Sequence, residues 1–417
     1  QANAIEKIKL LRNHASIAVW CGDNEGVPEK PLDDWLRGDV AYYDGGDRHY
    51  QSISNSQGLS GSGPWTNMHP SWYFTPYPMM YGYKGKPEWG FRTEIGTAVF
   101  TTFESFRKFM PEESWWPRNE MWNKHYFGPL AANAGPDRYE EALAENYGKP
   151  EGIEDFCRKA QLLNLEVNKA MYEGWQHHMW QNATGIMTWM SQSAYPSLVW
   201  QTYDYYFEPT AAYFGCKKGN EPLHVQWNSA TNDVEVVNYS AGAHPALVAV
   251  AQIINMDGSV AWEHKAEVNS AEDTTERPFV LEFPAELSSA HFVKLYLYEG
   301  DKVVSDNFYI RGIEEGNYQA IRQMPKVELQ QSLTCEKADD GSWEGSVTLT
   351  NPTSTPALMI RINLLGAEDG DQILPVFYSD NYFALLPNES KTVSFRFKDI
   401  DTRGTTPKIV VTGYNVK

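Results

Sequence analysis

Ser16-Ile-Ala-Val-Trp-Cys-Gly-Asp-Asn-Glu25 and Trp89-Gly-Phe-Arg-Thr-Glu-Ile-Gly96 decide the fold. Each is a short apolar run that ends in a polar cluster carrying one glutamate: Glu25 in the first, Glu94 in the second. Parallel barrels present acids in this way, at the carboxyl ends of their strands, where such folds keep their chemistry. Read without other context, a strand-end glutamate also serves as a cap or as half of a surface ion pair.

Working outward, residues 1 to about 14 read as a helix with Ile5, Ile8, Leu10 and Leu11 on one face. Ser16 to Trp20 reads as a buried strand. Residues 26 to 90 are loop-rich, and loops of that length over a rigid scaffold usually carry function. Phe91 to Ile95 is a second strand, followed by a helix from about Thr102 to Met110. A long helix is expected from Ile153 to Trp180, because Phe156, Ala160, Leu163, Val167, Met171 and Trp175 recur at three- and four-residue steps. Gly185 to Met190 is a short apolar strand. Alternating strand and helix up to about residue 212 imply parallel α/β structure.

The pattern then changes. From Glu221 onward the strands are short and the period is two. Val347 and Leu349 alternate with Ser346, Thr348 and Thr350, and Val393, Phe395 and Phe397 alternate with Thr392, Ser394 and Arg396. One buried face per strand predicts antiparallel sandwiches, and two units of roughly 90 to 110 residues fit immunoglobulin-like folds. The break between them lies near Gln323-Met-Pro-Lys326.

Composition narrows the function. A net charge of -19 disfavours nucleic acid, whose phosphates need clustered Lys and Arg. No stretch reaches the roughly 20 apolar residues of a membrane span. The 15 Trp and 24 Tyr suit a core and also suit stacking on sugar rings. Cys21, Cys157, Cys216 and Cys335 show no zinc or redox spacing, and small buried residues are their expected fate. His177 and His178 lack an acidic ligand motif, so no metal is expected, and no phosphate loop is present.

Several segments carry a resemblance. Leu11-Arg-Asn-His-Ala-Ser-Ile-Ala-Val-Trp-Cys-Gly-Asp-Asn-Glu25 resembles the acid/base segment of glycoside hydrolase family 2. Phe91-Arg-Thr-Glu-Ile-Gly96, with Phe103 to Pro111 after it, resembles that family's nucleophile segment. Gly185 to Trp200 is similar to the last barrel strand of the exo-β-glucosaminidase and mannosidase-like branch. Tyr203 to Val225 resembles the exit from that barrel, and Asp380-Asn-Tyr-Phe383 resembles the branch's terminal domain.

The resemblance implies the later half of a (β/α)8 TIM barrel over residues 1–212. Immunoglobulin-like β-sandwiches are then expected over 213–324 and 325–417. A jelly-roll domain, an immunoglobulin-like domain and the early barrel strands would lie upstream, and this missing part of the same protein is the expected partner. The implied activity is retaining hydrolysis of non-reducing β-linked glucosamine in chitosan-like oligosaccharides. A β-mannoside is the alternative substrate, and a non-catalytic carbohydrate-binding fragment the alternative class.

In that reading Glu94 is the nucleophile and Glu25 the acid/base, about 5 to 5.5 Å apart. Glu25 would start protonated, its pKa raised by burial and by the charge of Glu94. Asn24 would bind the sugar's 2-substituent. Asp23 departs from the family pattern and is open between holding a substrate amine, raising Glu25 and serving a turn. Trp189 would be the stacking floor. Trp65 and His69 would approach the site from a loop, with a structural role for His69 equally open, and Tyr195 would serve a further subsite. No cofactor is needed, and the family implies a periplasmic or secreted location.

Overall fold

The structure is a computed structural model and describes residues 1–56, 58–65, 67–75 and 90–417. Trp89, the first residue of the second motif, and much of the expected loop-rich stretch lie outside them. The chain forms two compact units. One comprises Gln1–Pro64, Thr75–Ile95 and Trp180–Thr188, the other Trp65–Phe74, Gly96–Met179 and Trp189–Lys417.

The first unit holds α1 (Ala2–Leu11), β1 (Val19–Asp23), α2 (Leu32–Tyr43), β2 (His49–Ile53), β3 (Leu59–Ser60), β4 (Gly90–Ile95) and β5 (Ala183–Thr188). Among the described residues every strand pairing in it is parallel. β1 pairs with β2, placing Asp23 opposite Ile53, and β4 lies between β3 and β5. Ile8, Val40 and Tyr50 form a small core where the two helices cover β2. The Tyr50 hydroxyl donates to buried Asp33 at 3.0 Å. Arg48 fixes the approach to β1 by donating to Asp44 and to the carbonyls of His14 and Ile17.

Three expectations change here. The first strand starts at Val19 rather than Ser16, and it is not buried, since Val19, Cys21 and Asp23 are all exposed. β1 is an edge with one neighbour, so one face and one side lack covering residues among those described. Leu10 is 74% exposed, and the apolar face of α1 is effectively Ile8. The helix expected at Thr102 to Met110 closes after one turn, because Phe109 bonds back three residues and Pro111 cannot continue it.

The second unit begins with α3 (Phe103–Phe106), α4 (Glu120–Lys124), α5 (Pro136–Tyr147), α6 (Ile153–His178) and α7 (Ala211–Gly219). Phe100, Phe106, Trp122, Phe127 and Phe156 pack with ring centroids between 4.7 and 5.9 Å. Edge contacts of this kind add about 0.5–1.5 kcal/mol each beyond area burial. α6 follows its predicted period, with Phe156, Ala160, Leu163, Val167, Met171 and Trp175 all buried. Glu154 and Asp155 in its first turn and His177 and His178 in its last suit the helix dipole.

Two antiparallel sheets follow. β6 (Leu223–Trp227), β7 (Asp233–Asn238) and β10 (Thr274–Val280) form one. β8 (His244–Asn255), β9 (Val260–Ser270), β11 (Ala290–Glu299) and β12 (Lys302–Gly312) form the other. Val225, Val234, Val236, Leu247, Leu295 and Leu297 fill the space between them. A second pair comprises β13 (Gln330–Lys337), β14 (Ser342–Thr350), β16 (Phe377–Tyr378) and β18 (Ser390–Lys398) against β15 (Ala357–Gly366), β17 (Phe383–Leu385) and β19 (Pro407–Thr412). Val347, Val393, Phe395 and Phe397 point inward and Thr392, Ser394 and Arg396 outward, as the alternation predicts.

α6 is tied to the first sandwich by polar residues one turn apart. Glu166 pairs with Arg311 at 3.1 Å, and Lys169 donates to Asn307 at 3.0 Å. Glu173 accepts from Asn307 at 2.7 Å and from Tyr309 at 2.9 Å, and it lies 3.2 Å from His224. His177 reaches Glu235 at 2.7 Å. Buried charges are tolerated because each is paired and hydrogen-bonded.

Candidate active site

Asp23, Asn24, Glu25 and Glu94 come together in the first unit, and two serines join their motifs. The Glu25 backbone N–H donates to Ser54 Oγ at 2.8 Å, while Thr93, next to Glu94, donates to the Ser54 carbonyl at 2.7 Å. Ser62 Oγ donates to Glu25 Oε1 at 2.5 Å, and the Ser62 carbonyl accepts from Arg92. Parallel pairing produces this arrangement. Asp23 faces Ile53, so the chain leaving β1 and the chain leaving β2 emerge side by side and Glu25 meets Ser54.

Glu25 has φ 54°. The left-handed region costs a non-glycine residue on the order of 1–3 kcal/mol, and such strain collects at functional positions. Here the bonds to Ser54 and Ser62 hold it. Asn24 accepts weakly from Ser54 Oγ at 3.4 Å, and Asp23 caps the turn by accepting from the Asn24 N–H at 2.8 Å. That bond is the turn role left open for Asp23. All three side chains are exposed.

Burial was expected around Glu25 and is found around Glu94 instead. Burial raises the Glu94 carboxyl first, the charge of Glu25 raises it further, and Arg92 opposes both. Glu94 sits mid-sheet on β4 between two neighbours, whereas Glu25 leaves an edge strand.

The other candidates belong to the second unit. Trp65, Trp189 and Trp200 form a cluster with centroids at 4.9 Å (65–189), 4.5 Å (189–200) and 5.7 Å (65–200). Gly96 lies against it, and a Cβ there would sit 2.0 Å from the Trp189 carbonyl oxygen. Tyr195 is 46% exposed and Tyr126, beside Trp200, influences its hydroxyl. His69 is occupied otherwise. Its Nδ1 lies 2.8 Å from Ser71 and 3.1 Å from Glu315, and its Nε2 3.1 Å from the Tyr318 hydroxyl. Burial first and Arg311 second push it down to about 4, leaving a neutral ring. Those contacts are the structural role left open for this histidine.

The sequence reading missed Ser54, Ser62, Arg92 and Trp200. The serines sit in aperiodic polar loops, and their pairing with Glu25 appears only once β1 and β2 are in register. Trp200 had a signal, as one of two tryptophans flanking the segment after β5. All four cysteines are free and Cys157 is buried, as expected, whereas Cys21 and Cys335 are exposed. Among the described residues no group of three or more His, Cys, Asp or Glu is placed to hold a metal ion. Among them, too, no helix is long and apolar enough to cross a membrane.

Comparison with known proteins extends this picture. Residues 307–416 match the exo-beta-D-glucosaminidase Ig-fold domain family. The whole chain aligns with an exo-beta-D-glucosaminidase of Streptomyces avermitilis at 27% identity, covering 100% of this chain and 49% of that protein. The chain is similar to exo-β-D-glucosaminidases along its whole length. A mannosylglycoprotein endo-beta-mannosidase of Lilium longiflorum is 25% identical over 99% of this chain and 53% of its own length. The chain thus spans about half the length of the curated glucosaminidases and mannosidases it matches. Its fold is that of the Amycolatopsis orientalis exo-chitosanase CsxA, with a TM-score of 0.89 at 22% identity, over 100% of this chain and 53% of that one.

Proposed function

We propose that this chain is the later half of a (β/α)8 barrel with two immunoglobulin-like sandwiches, from a retaining exo-β-glycosidase of β-linked glucosamine. The observation that carries the reading is the joining of the Glu25 and Glu94 motifs through Ser54 and Ser62, close enough for the charge of Glu25 to raise Glu94. Glu94 attacks the anomeric carbon and forms a glycosyl-enzyme. Glu25 protonates the leaving oxygen and then activates the water that releases the sugar. In this reading Asn24 receives the 2-substituent, Asp23 holds a protonated 2-amine, and Trp189 stacks on the sugar. The exposed edge of β1 is where upstream barrel strands would pair.

The test is turnover of aryl β-glycosides by the protein with its upstream half restored. Selective glucosaminide hydrolysis is expected. Preference for mannoside, favoured by the likeness to the lily enzyme, would replace the substrate and reduce Asp23 to its turn. No turnover on glucosaminide, mannoside, galactoside or glucuronide would leave a carbohydrate-binding fragment.

A further inference from the structure

The terminal sandwich carries none of the proposed site residues, yet one arginine on it reaches the segment that carries Trp189. Arg361 lies on β15 with its side chain largely buried. Its Nη1 is 3.0 Å from both oxygens of Glu104, just past the Thr102 cap of α3, and its Nη2 is 2.7 Å from Glu208. Gln372 holds the second oxygen of Glu208 at 2.8 Å. Both Glu208 oxygens therefore accept from the terminal sandwich.

Glu208 closes a tight loop. Asp204 Oδ1 accepts from the N–H groups of Tyr206 and Glu208 at 2.9 and 3.1 Å, and its Oδ2 accepts from Thr101 at 2.7 Å. The loop returns on itself through Thr210, whose N–H donates to the Thr202 carbonyl at 3.0 Å. Thr202 and Tyr203 in turn donate to the carbonyls of Met190 and Ser191 at 3.3 and 3.1 Å, and Met190 donates to Trp200. The chain of bonds thus runs from Arg361 through Glu208 and the 202–210 loop to the residues adjoining Trp189 and Trp200, whose rings pack at 4.5 Å.

We infer that Arg361 is a positioning residue for Trp189: the terminal sandwich braces the sugar-stacking segment through the Arg361–Glu208 pair. This rests on the glycosidase reading for its functional half and on geometry for its mechanical half. A forked guanidinium suits the task, since one side chain fixes two carboxylates in one plane. Through the brace, a domain without site residues would act on sugar binding.

The experiment is hydrogen exchange on the full chain, combined with aryl glucosaminide kinetics on the protein with its upstream half restored. Arg361→Met is the first variant, and Gln372→Met, which removes one amide bond to Glu208 and the bond Gln372 accepts from Lys108, is the second in case the first misfolds. Exchange in 189–210 is expected to rise about 10-fold for Arg361→Met and about 3-fold for Gln372→Met, with β18 unchanged. KM should rise about 10-fold for Arg361→Met with kcat nearly kept, because a stacking face acts on ground-state binding. Unchanged exchange in 189–210, an equal rise in β18, or a loosened segment with unchanged KM would each overturn the brace. A wild-type protein inert on every glycoside would instead sink the glycosidase reading, and the exchange data would still decide the mechanical half.

Discussion

Glu25 and Glu173 are the same residue type under opposite treatment. Glu25 is exposed and strained in backbone, and its carboxylate accepts from one serine hydroxyl. Glu173 is fully buried, and one of its oxygens alone receives Asn307 and Tyr309 and lies against His224. Glu166, Glu208 and Glu235 follow the second pattern, and Glu221, though partly exposed, is likewise paired. A carboxylate saturated with donors contributes order and has no lone pair left for substrate. One with open lone pairs and an uncompensated neighbour contributes little order and is available for proton transfer or attack.

The largest effect separates the two classes outright. Glu94→Gln should reduce turnover by on the order of 10⁴-fold and leave the thermal midpoint near wild type, measured side by side by kinetics and calorimetry. Glu173→Ala should do the reverse in stability, costing about 3–5 kcal/mol in a denaturant titration, because His224, Asn307 and Tyr309 lose a shared acceptor. An unstable Glu94→Gln or a stable Glu173→Ala would erase the distinction.

Two pH experiments sharpen it. In the proposed mechanism Glu94 must be ionised to attack. Burial raises it first, with Glu25 adding to this wherever it is itself ionised, so the acid limb of kcat/KM should lie above the ordinary carboxylate range. Glu25→Gln, assayed on a substrate whose leaving group needs no protonation, should move that limb to lower pH. Glu221 is the contrasting case. Burial alone would raise it, but the bond to His224 and the charge of Lys218 hold it down at about 2. Its contribution, on the order of 2 kcal/mol, is present above the unfolded carboxylate pKa and fades as pH falls from there toward 2. Glu221→Gln should remove that part of the acid slope in a plot of Tm against pH.

The smallest effect tests the exposed flank of the first unit. Leu10→Gln should change stability by less than about 0.5 kcal/mol, since Leu10 is 74% exposed. A loss above that would mean the residue is covered in solution.

Legibility followed periodicity. α6 was readable because six apolar residues keep a 3.6 period, and β14 and β18 because their alternation is strict over a face buried on one side. Both glutamate motifs were readable from type and place. The depth of β1 was not, because an apolar run says only that burial is possible, and the covering residues must come from elsewhere. Ser54 and Ser62 were invisible for a different reason, since hydroxyls bonded across 29 and 37 positions leave no local trace. Asp23 had three roles open in the sequence and His69 two, and bond geometry shows a structural contact for each.

The row of polar residues along α6 bears on how the protein can be taken apart. A protein engineer guided by the change of pattern near residue 212 would cut there, to graft the upstream portion onto another scaffold. The cut would leave Glu166, Lys169, Glu173 and His177 on one stripe of the helix without Arg311, Asn307, Tyr309 or Glu235. Four stranded polar groups on a helix buried over most of its length are a recipe for insolubility. The transferable module is therefore the helix together with its sandwich.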